Sequence, residues 1–226
     1  MNCQEVFMAV NRTDIKMQKI KNGGPKKVTI GSTIIIGEPL LPKVLKGLKE
    51  NSGETVYEIV IQKKEILFDM LREGKIDIAL MGDYFMKDKE FEVYPIQEFP
   101  FVLVHYEKLK KIKELENFSL IARTDSYILE KNIDYLNNYY EINIKNRIII
   151  NGSVKLIKNY VKEKMGFAIL PYYSVVNEIN EGIFYPLVYF NDQKDGYQAV
   201  VLRDNNDPEV QSTLEFLRNY NIKENL

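Results

Sequence analysis

The chain has 226 residues, 45% hydrophobic and 28% charged, a size that one large α/β domain or two small lobes would fill. Its 31 lysines and arginines nearly balance 32 acids, and no basic stripe with interleaved aromatics occurs, which excludes a nucleic-acid face on this chain by itself. A single cysteine, Cys3, and a single histidine, His105, exclude a disulfide framework and an ordinary His/Cys metal set, and no cofactor is expected.

The opening residues, MNCQEVFMAVNRTDIK, have no cationic stretch followed by a long apolar run. No run of roughly 18 consecutive apolar residues occurs anywhere. Export and membrane insertion are therefore not expected, and the cysteine usage fits a reducing, cytoplasmic compartment. The Gly-Gly-Pro of KNGGPKK, Asn22 to Lys27, is the clearest linker, so Glu5 to Ile20 reads as a separate helix or arm.

Val28 to Ile30 reads as the first strand. Leu41, Val44, Leu45 and Leu48 then recur at helical spacing, with the helix start expected at Pro39. Val56 to Ile61, rich in β-branched residues, is the next strand. Ile66, Leu67, Met70 and Leu71 give a second helix stripe, which Gly74 stops. Ile76 to Met81 follows as a buried strand. This strand and helix alternation predicts a mostly parallel sheet.

PIQEFPFVLVHY carries two prolines and then a strand, the pattern of a connection leaving one lobe for another. A second alternation follows: FSLIA as strand, Ser126 to Tyr140 as helix, NRIII as strand, Ser153 to Lys164 as helix, FAIL as strand. GYQAVVL then reads as a strand and DNNDPEVQSTLEFLRNY as a closing helix, with Asp207 as N-cap, Pro208 at the first helical position, and Val210, Leu214 and Leu217 as its apolar stripe. That stripe needs an apolar face to cover. The first lobe offers one, so the chain is expected to cross between lobes twice.

In parallel α/β sheets, ligands sit beyond the carboxyl ends of strands. Hydroxyl-bearing turns occur there at Ser32 and Thr33, at Gly82 and Asp83, at Thr124, Asp125 and Ser126, and at Asn151 to Ser153. Each is also a helix-capping residue type, and for Ser126 and Ser153 capping and ligand contact stand level. For Ser32 and Thr33 ligand contact gains weight, because a cap would sit closer to Pro39. GSTIIIG lacks the Gly-Lys-Ser/Thr ending of a phosphate loop. His105 falls in the crossover, where it reads as structural or surface. No base and nucleophile pair is visible, so an enzyme is not expected.

Three stretches in order resemble the effector-binding domain of LysR-type transcriptional regulators. KKVTIGSTIIIGEPLLPKVLKGL is similar to the family's first strand, its ligand-contacting Ser/Thr turn and a helix introduced by Leu-Pro, here Leu41 and Pro42. ILFDMLREGKIDIALM is similar to its leucine-rich helix, glycine turn and Leu/Ile-Asp strand. NGSVKLIKNYVKEKMGFAILP matches its Ser-led helix and its ending at Gly166 to Pro171. The match departs at NSGETV, where the family has an aromatic-Pro pair, and at Lys164, where it has the first glycine of a Gly-x-Gly turn.

The resemblance implies two Rossmann-like lobes joined by two crossover strands, a periplasmic-binding-protein-like fold of type 2. Lobe I would comprise residues 26–99 and 201–226, lobe II residues 100–200, and residues 1–25 a remnant linker helix and linker. It implies a small-molecule effector in the cleft, generally a small anion, contacted by Ser32 and Thr33 from the first lobe and by Thr124, Asp125 and Ser126 from the second. Gly82 to Tyr84 and Gln97 to Phe99 would border it. Arg123 is the nearest obvious cation. It further implies a homodimer, with DNA bound only through a winged helix-turn-helix absent from this chain, which is then either a fragment or a product without its DNA reader. A transport solute-binding protein shares the fold and is the alternative.

Overall fold

A computed structural model describes residues 26–82, 89–124 and 128–221. In chain order the elements are β1 (Lys27–Ser32), α1 (Ile34–Gly37), α2 (Leu41–Ser52), β2 (Val56–Ile61), α3 (Lys64–Arg72), β3 (Ile78–Gly82), β4 (Phe91–His105), β5 (Ser119–Arg123), α4 (Leu129–Tyr140), β6 (Arg147–Ile150), α5 (Val154–Lys162), β7 (Gly166–Pro171), α6 (Val176–Asn180), β8 (Tyr185–Leu202) and α7 (Pro208–Asn219). The chain forms two compact units. One comprises the described residues up to Gln97 and from Gly196 onward, the other Glu98–Asp195. β4 and β8 each run from one unit into the other.

In the first unit the strand order is β2-β1-β3-β8. β1 runs parallel to both neighbours, with Ile30 opposite Ile59 on one side and Ile78 on the other. β3 meets β8 antiparallel, with Ala79 opposite Val200. The aspartate of IDIALM has a structural task. The Asp77 N–H donates to the Thr29 carbonyl at 2.8 Å, and its Oδ2 accepts from the Thr29 N–H at 2.8 Å, so one residue holds both backbone groups of β1 at that point.

α3 covers the sheet with Leu67, Phe68 and Leu71, joined by Ile76, Ala79, Met81, Phe91 and Val200 in one core. Ile66, expected in the buried stripe, is exposed instead. The face is rotated so that Phe68 takes its place, because Phe68 meets the Phe91 ring at 5.2 Å and buries more area than an isoleucine could there. Gly31 permits this close approach, since a Cβ at that position would lie 2.5 Å from Ile76 Cδ1 and 2.6 Å from Leu67 Cδ2.

α7 packs in the first unit. Asp207 accepts from the N–H groups of Glu209 and Val210, at 3.0 and 3.4 Å, and Val210, Leu214 and Leu217 are buried. Each such side chain contributes about 1.5–3 kcal/mol on leaving water.

The second unit orders its strands β4-β7-β5-β6. β7 is antiparallel to β4 and parallel to β5, and β5 is parallel to β6. Apolar clusters fill it. Leu115, Leu120, Leu136, Ile142, Phe167 and Phe190 belong to one, and Val104, Ile121, Ile157, Val161, Ala168 and Phe184 to another. α5 and α6 are tied by Glu178, whose carboxylate pairs with Lys158 at 2.8 Å and Lys162 at 3.3 Å.

Four further features differ from expectation. The short helix α1 starts immediately after Thr33, ahead of Pro39. β4 runs straight through Pro95 and Pro100, and β8 starts at Tyr185, carrying the polar run Asn191 to Asp195 within a strand. α6 carries no expected counterpart, because five residues are too few for a period to show.

Candidate functional site

The first unit gathers three of the expected residues at adjoining strand ends. β1 and β3 lie side by side with Ser32 opposite Leu80. The Thr33 N–H donates to the Leu80 carbonyl at 3.2 Å, and the Gln62 N–H to the Ser32 carbonyl at 3.0 Å. Gly82, two residues beyond Leu80, ends β3 opposite Tyr197. Ser32, Thr33 and Gly82 therefore meet where the chain leaves the parallel strands.

The two hydroxyls differ in state. Ser32 is fully buried, and its Oγ donates to the Thr33 carbonyl at 3.1 Å. Thr33 stands at the N-cap position of α1 with extended backbone, φ −72° and ψ 151°, yet its side chain caps nothing. Its Oγ1 is buried with no hydrogen-bond partner among the described residues. A buried hydroxyl left so costs about 1–3 kcal/mol relative to one that is paired, and capping, the competing explanation for this threonine, does not hold.

Beside this edge lie two residues that the sequence pattern did not single out. Gln198 is buried and its Nε2 donates to the Gly82 carbonyl at 3.5 Å. The Tyr197 hydroxyl is buried without a partner among the described residues. Burial, reinforced by the nearby Tyr220, pushes its phenol well above the ordinary value, so it stays protonated and available as a donor. Polar residues within an otherwise apolar strand were the available signal.

In the second unit β5, β6 and β7 end on one edge. The Thr124 N–H donates to the Ile150 carbonyl at 3.1 Å, and the Thr124 side chain is exposed. Ser153 is the N-cap of α5, its Oγ accepting from the Leu156 N–H at 3.3 Å, so capping is its observed role. The β4–β7 register, Phe101 opposite Pro171, brings Phe99 next to the residues after β7. Phe99 is buried and meets Tyr173 edge-on at 5.1 Å. The Tyr173 hydroxyl donates to Asp195 Oδ2 at 2.8 Å. Asp83, Asp125 and Ser126, with the bordering Tyr84, lie outside the described residues.

His105 is fully buried. Its Nδ1 lies 3.0 Å from the Glu107 carbonyl and 3.2 Å from the Glu107 N–H, and its ring packs on Tyr106 at 4.1 Å and Phe118 at 4.5 Å. Burial lowers its basicity, against an opposing hydrogen bond to Glu107. These are the contacts of a core residue. Among the described residues no group of three or more His, Cys, Asp or Glu could hold a metal ion, and no helix is long and apolar enough to cross a membrane. The two edges thus carry hydroxyls and a carboxamide, groups suited to hydrogen-bonding a small polar molecule.

The LysR substrate binding domain family matches residues 21–221. The chain belongs to that family. A probable RuBisCO transcriptional regulator of Trieres chinensis is 24% identical over 178 residues, 72% of this chain and 57% of that protein. Among solved structures, the bromide-bound regulatory domain of HypT from Salmonella typhimurium is 19% identical, covers 89% of this chain and 97% of its own, and superposes with a TM-score of 0.67. The effector binding domain of QuiR in complex with shikimate is 16% identical, covers 88% and 99%, and gives 0.64. The LysR-type domain therefore has the periplasmic-binding-protein-like fold of type 2 that its three motifs imply. It spans 33% to 57% of the length of the curated relatives it matches.

Proposed function

We propose that this LysR-type domain is the effector-binding part of a transcriptional regulator, and that its effector is a small anion or carboxylate. The observation that carries the reading is Thr33: a buried hydroxyl with no partner among the described residues, at the turn that ends β1. In the first unit, Ser32, Thr33, Gly82 and Asp83 are assigned to the ligand. In the second, Phe99, Thr124, Asp125 and Ser126 are, together with Ser153, whose hydroxyl accepts from the Leu156 N–H as the cap of α5 and keeps its own proton to donate. An anion takes hydrogen bonds from hydroxyls and backbone amides, and the bromide bound by HypT and the shikimate bound by QuiR are of matching chemistry. The protein acts in the cytoplasm, without catalysis, and reaches DNA through a winged helix-turn-helix outside this chain.

The chain works as a homodimer. Support comes from its edge strands: Val56, Ile59 and Ile61 of β2 are exposed in the first unit, and Ile149 of β6 in the second. Apolar strand edges left in water invite pairing with another chain. Effector binding then biases an equilibrium between arrangements of the dimer, by as much as the ligand's affinity differs between them.

The test is a thermal-shift screen of the purified chain against bromide, sulfate, shikimate, benzoate and neutral polyols. A ligand that binds only the native state raises the melting temperature by mass action. A selective rise with an anion or carboxylate is expected. A rise with polyols alone would contradict the proposed ligand class, and no rise across the panel would contradict the site.

A further inference from the structure

The connection from β6 to α5 carries Asn151 and Gly152, two residues that the proposed function leaves unused. Asn151 is exposed. Among the described residues its carboxamide has no hydrogen-bond partner, and the Gly152 N–H has no acceptor. No other described asparagine precedes a glycine. Asn51 shows the contrast: it lies within α2, and its Nδ2 donates to the Gly47 carbonyl at 2.8 Å.

A free carboxamide directly ahead of a glycine is a reactive pair, because the next backbone nitrogen reaches the asparagine Cγ by closing a five-membered ring. Glycine suits that ring. It has no side chain to shield its nitrogen, and its backbone turns at little steric cost. α5 adds a field. Ser153 caps it, and its first turn has no acidic residue, so the positive end of the helix dipole lies beside the pair. That end favours the negative charge that grows first on the Gly152 nitrogen and then on the amide oxygen under attack.

We infer that Asn151 is a site of spontaneous deamidation. Hydroxide removes the Gly152 amide proton, the nitrogen bonds to Asn151 Cγ, and the Cγ–Nδ2 bond breaks, releasing ammonia as water supplies its proton. Water then adds to either carbonyl of the cyclic imide, the ring C–N bond breaks, and the nitrogen regains a proton. Opening at Cγ gives aspartate. Opening at the main-chain carbonyl gives isoaspartate, in which the chain runs through the former side chain. One water is consumed, one ammonia leaves, and nothing is oxidised or reduced. Both products place a new carboxylate just ahead of α5, where the dipole favours its ionised form.

The test incubates the full chain and the peptide acetyl-Ile-Ile-Asn-Gly-Ser-Val-amide side by side at neutral and mildly alkaline pH, and reads residue 151 by peptide mapping with mass spectrometry. Asn22, which also precedes a glycine, falls in a separate fragment. A progressive loss of the Asn151 amide is expected, with the mass gain of an amide-to-acid exchange, in aspartate and isoaspartate forms, faster at the higher pH and at a rate comparable with the peptide's. Gly152 lies outside the left-handed region, and a Cβ there would meet Leu156 Cδ2, the far end of an exposed side chain, at 2.9 Å. Gly152→Ala should therefore fold, and it should slow the conversion severalfold. Asn151→Gln, which needs a six-membered ring, should slow it further. Far-ultraviolet circular dichroism checks that each chain stays folded throughout. An Asn151 that stays intact in the folded chain while the peptide converts, a rate insensitive to pH, or an equal rate in Gly152→Ala would each overturn the inference.

Discussion

Lys164 and Gly166 follow α5 in a turn where the family has two glycines, and the structure gives them opposite strain. Lys164 adopts φ +61°, a left-handed conformation that costs an L-residue about 1–2 kcal/mol. Lys164→Gly removes that cost and returns about 0.5–1 kcal/mol of it through the freer unfolded chain. The net gain is about 0.5–1 kcal/mol, a rise of roughly 1–4 °C in Tm for a chain of this size. Lys162 remains in the last turn of α5 to face the helix dipole. Gly166 has φ +152°, and a Cβ there would stand 2.0 Å from the Ser119 carbonyl oxygen. That oxygen is backbone, at the Ser119 to Gly166 register that starts the β5–β7 pairing, so it cannot swing aside. Gly166→Ala should cost at least ~3 kcal/mol, among the larger effects of a single methyl group. Urea melts of both variants and the unaltered chain by far-ultraviolet circular dichroism measure the two changes. A Lys164→Gly chain no more stable than the parent, or a Gly166→Ala chain equal to it, would refute the backbone reasoning.

Other consequences concern charge. Burial pushes the Glu178 carboxyl up, but the Lys158 hydrogen bond and charge, with Lys162, outweigh it and hold the group below the ordinary 4.5. A depressed carboxyl contributes stability that is complete above 4.5 and lost as pH falls through the folded value. Glu178→Gln should cost about 2–3 kcal/mol at pH 7, somewhat under the usual range for a broken buried pair because Lys158 keeps the Ser174 carbonyl. It should also flatten the acid limb of the stability curve. The buried His105 is held below the ordinary 6.5. Its unfolded form binds the proton more readily, so stability is complete above 6.5 and falls as pH drops toward the folded value. His105→Phe should remove that slope, read from urea midpoints between pH 5 and 7. Asp207→Ala, which strips the cap of α7, should cost about 1 kcal/mol in the same assay.

Much of the architecture was legible because periodicity and punctuation agreed. Leu41, Val44 and Leu48 are buried at the spacing that marks α2, and Val56 to Ile61 is β2 as read. Asp207-Pro208 announces α7 by chemistry that operates in the structure. Elsewhere local signals pointed the wrong way. The strand read from GYQAVVL is only the end of β8, which begins at Tyr185 and runs through the polar NDQKDG where the chain passes from one unit to the other. Ile66 fits its helix stripe as well as Phe68 does, and only the Phe91 ring, supplied from β4, decides between them. The candidate site shows the same division. A hydroxyl turn after β1 is visible in GST, whereas the burial of Tyr197 and Gln198 depends on strand pairing across more than a hundred residues, and that Thr33 has no partner among the described residues shows only once the chain is folded.

The most direct test is calorimetric titration of the strongest anion from the screen into the unaltered chain and into Thr33→Val, with urea melts of both ligand-free proteins. Valine keeps the shape of threonine and deletes the hydroxyl. Loss of a buried hydroxyl without a partner among the described residues should leave the ligand-free fold as stable or up to ~1 kcal/mol more so, while the lost ligand contact weakens binding roughly tenfold. Unchanged affinity, or a Thr33→Val chain that loses stability without losing ligand, would contradict the claim that this turn exists to hold an effector.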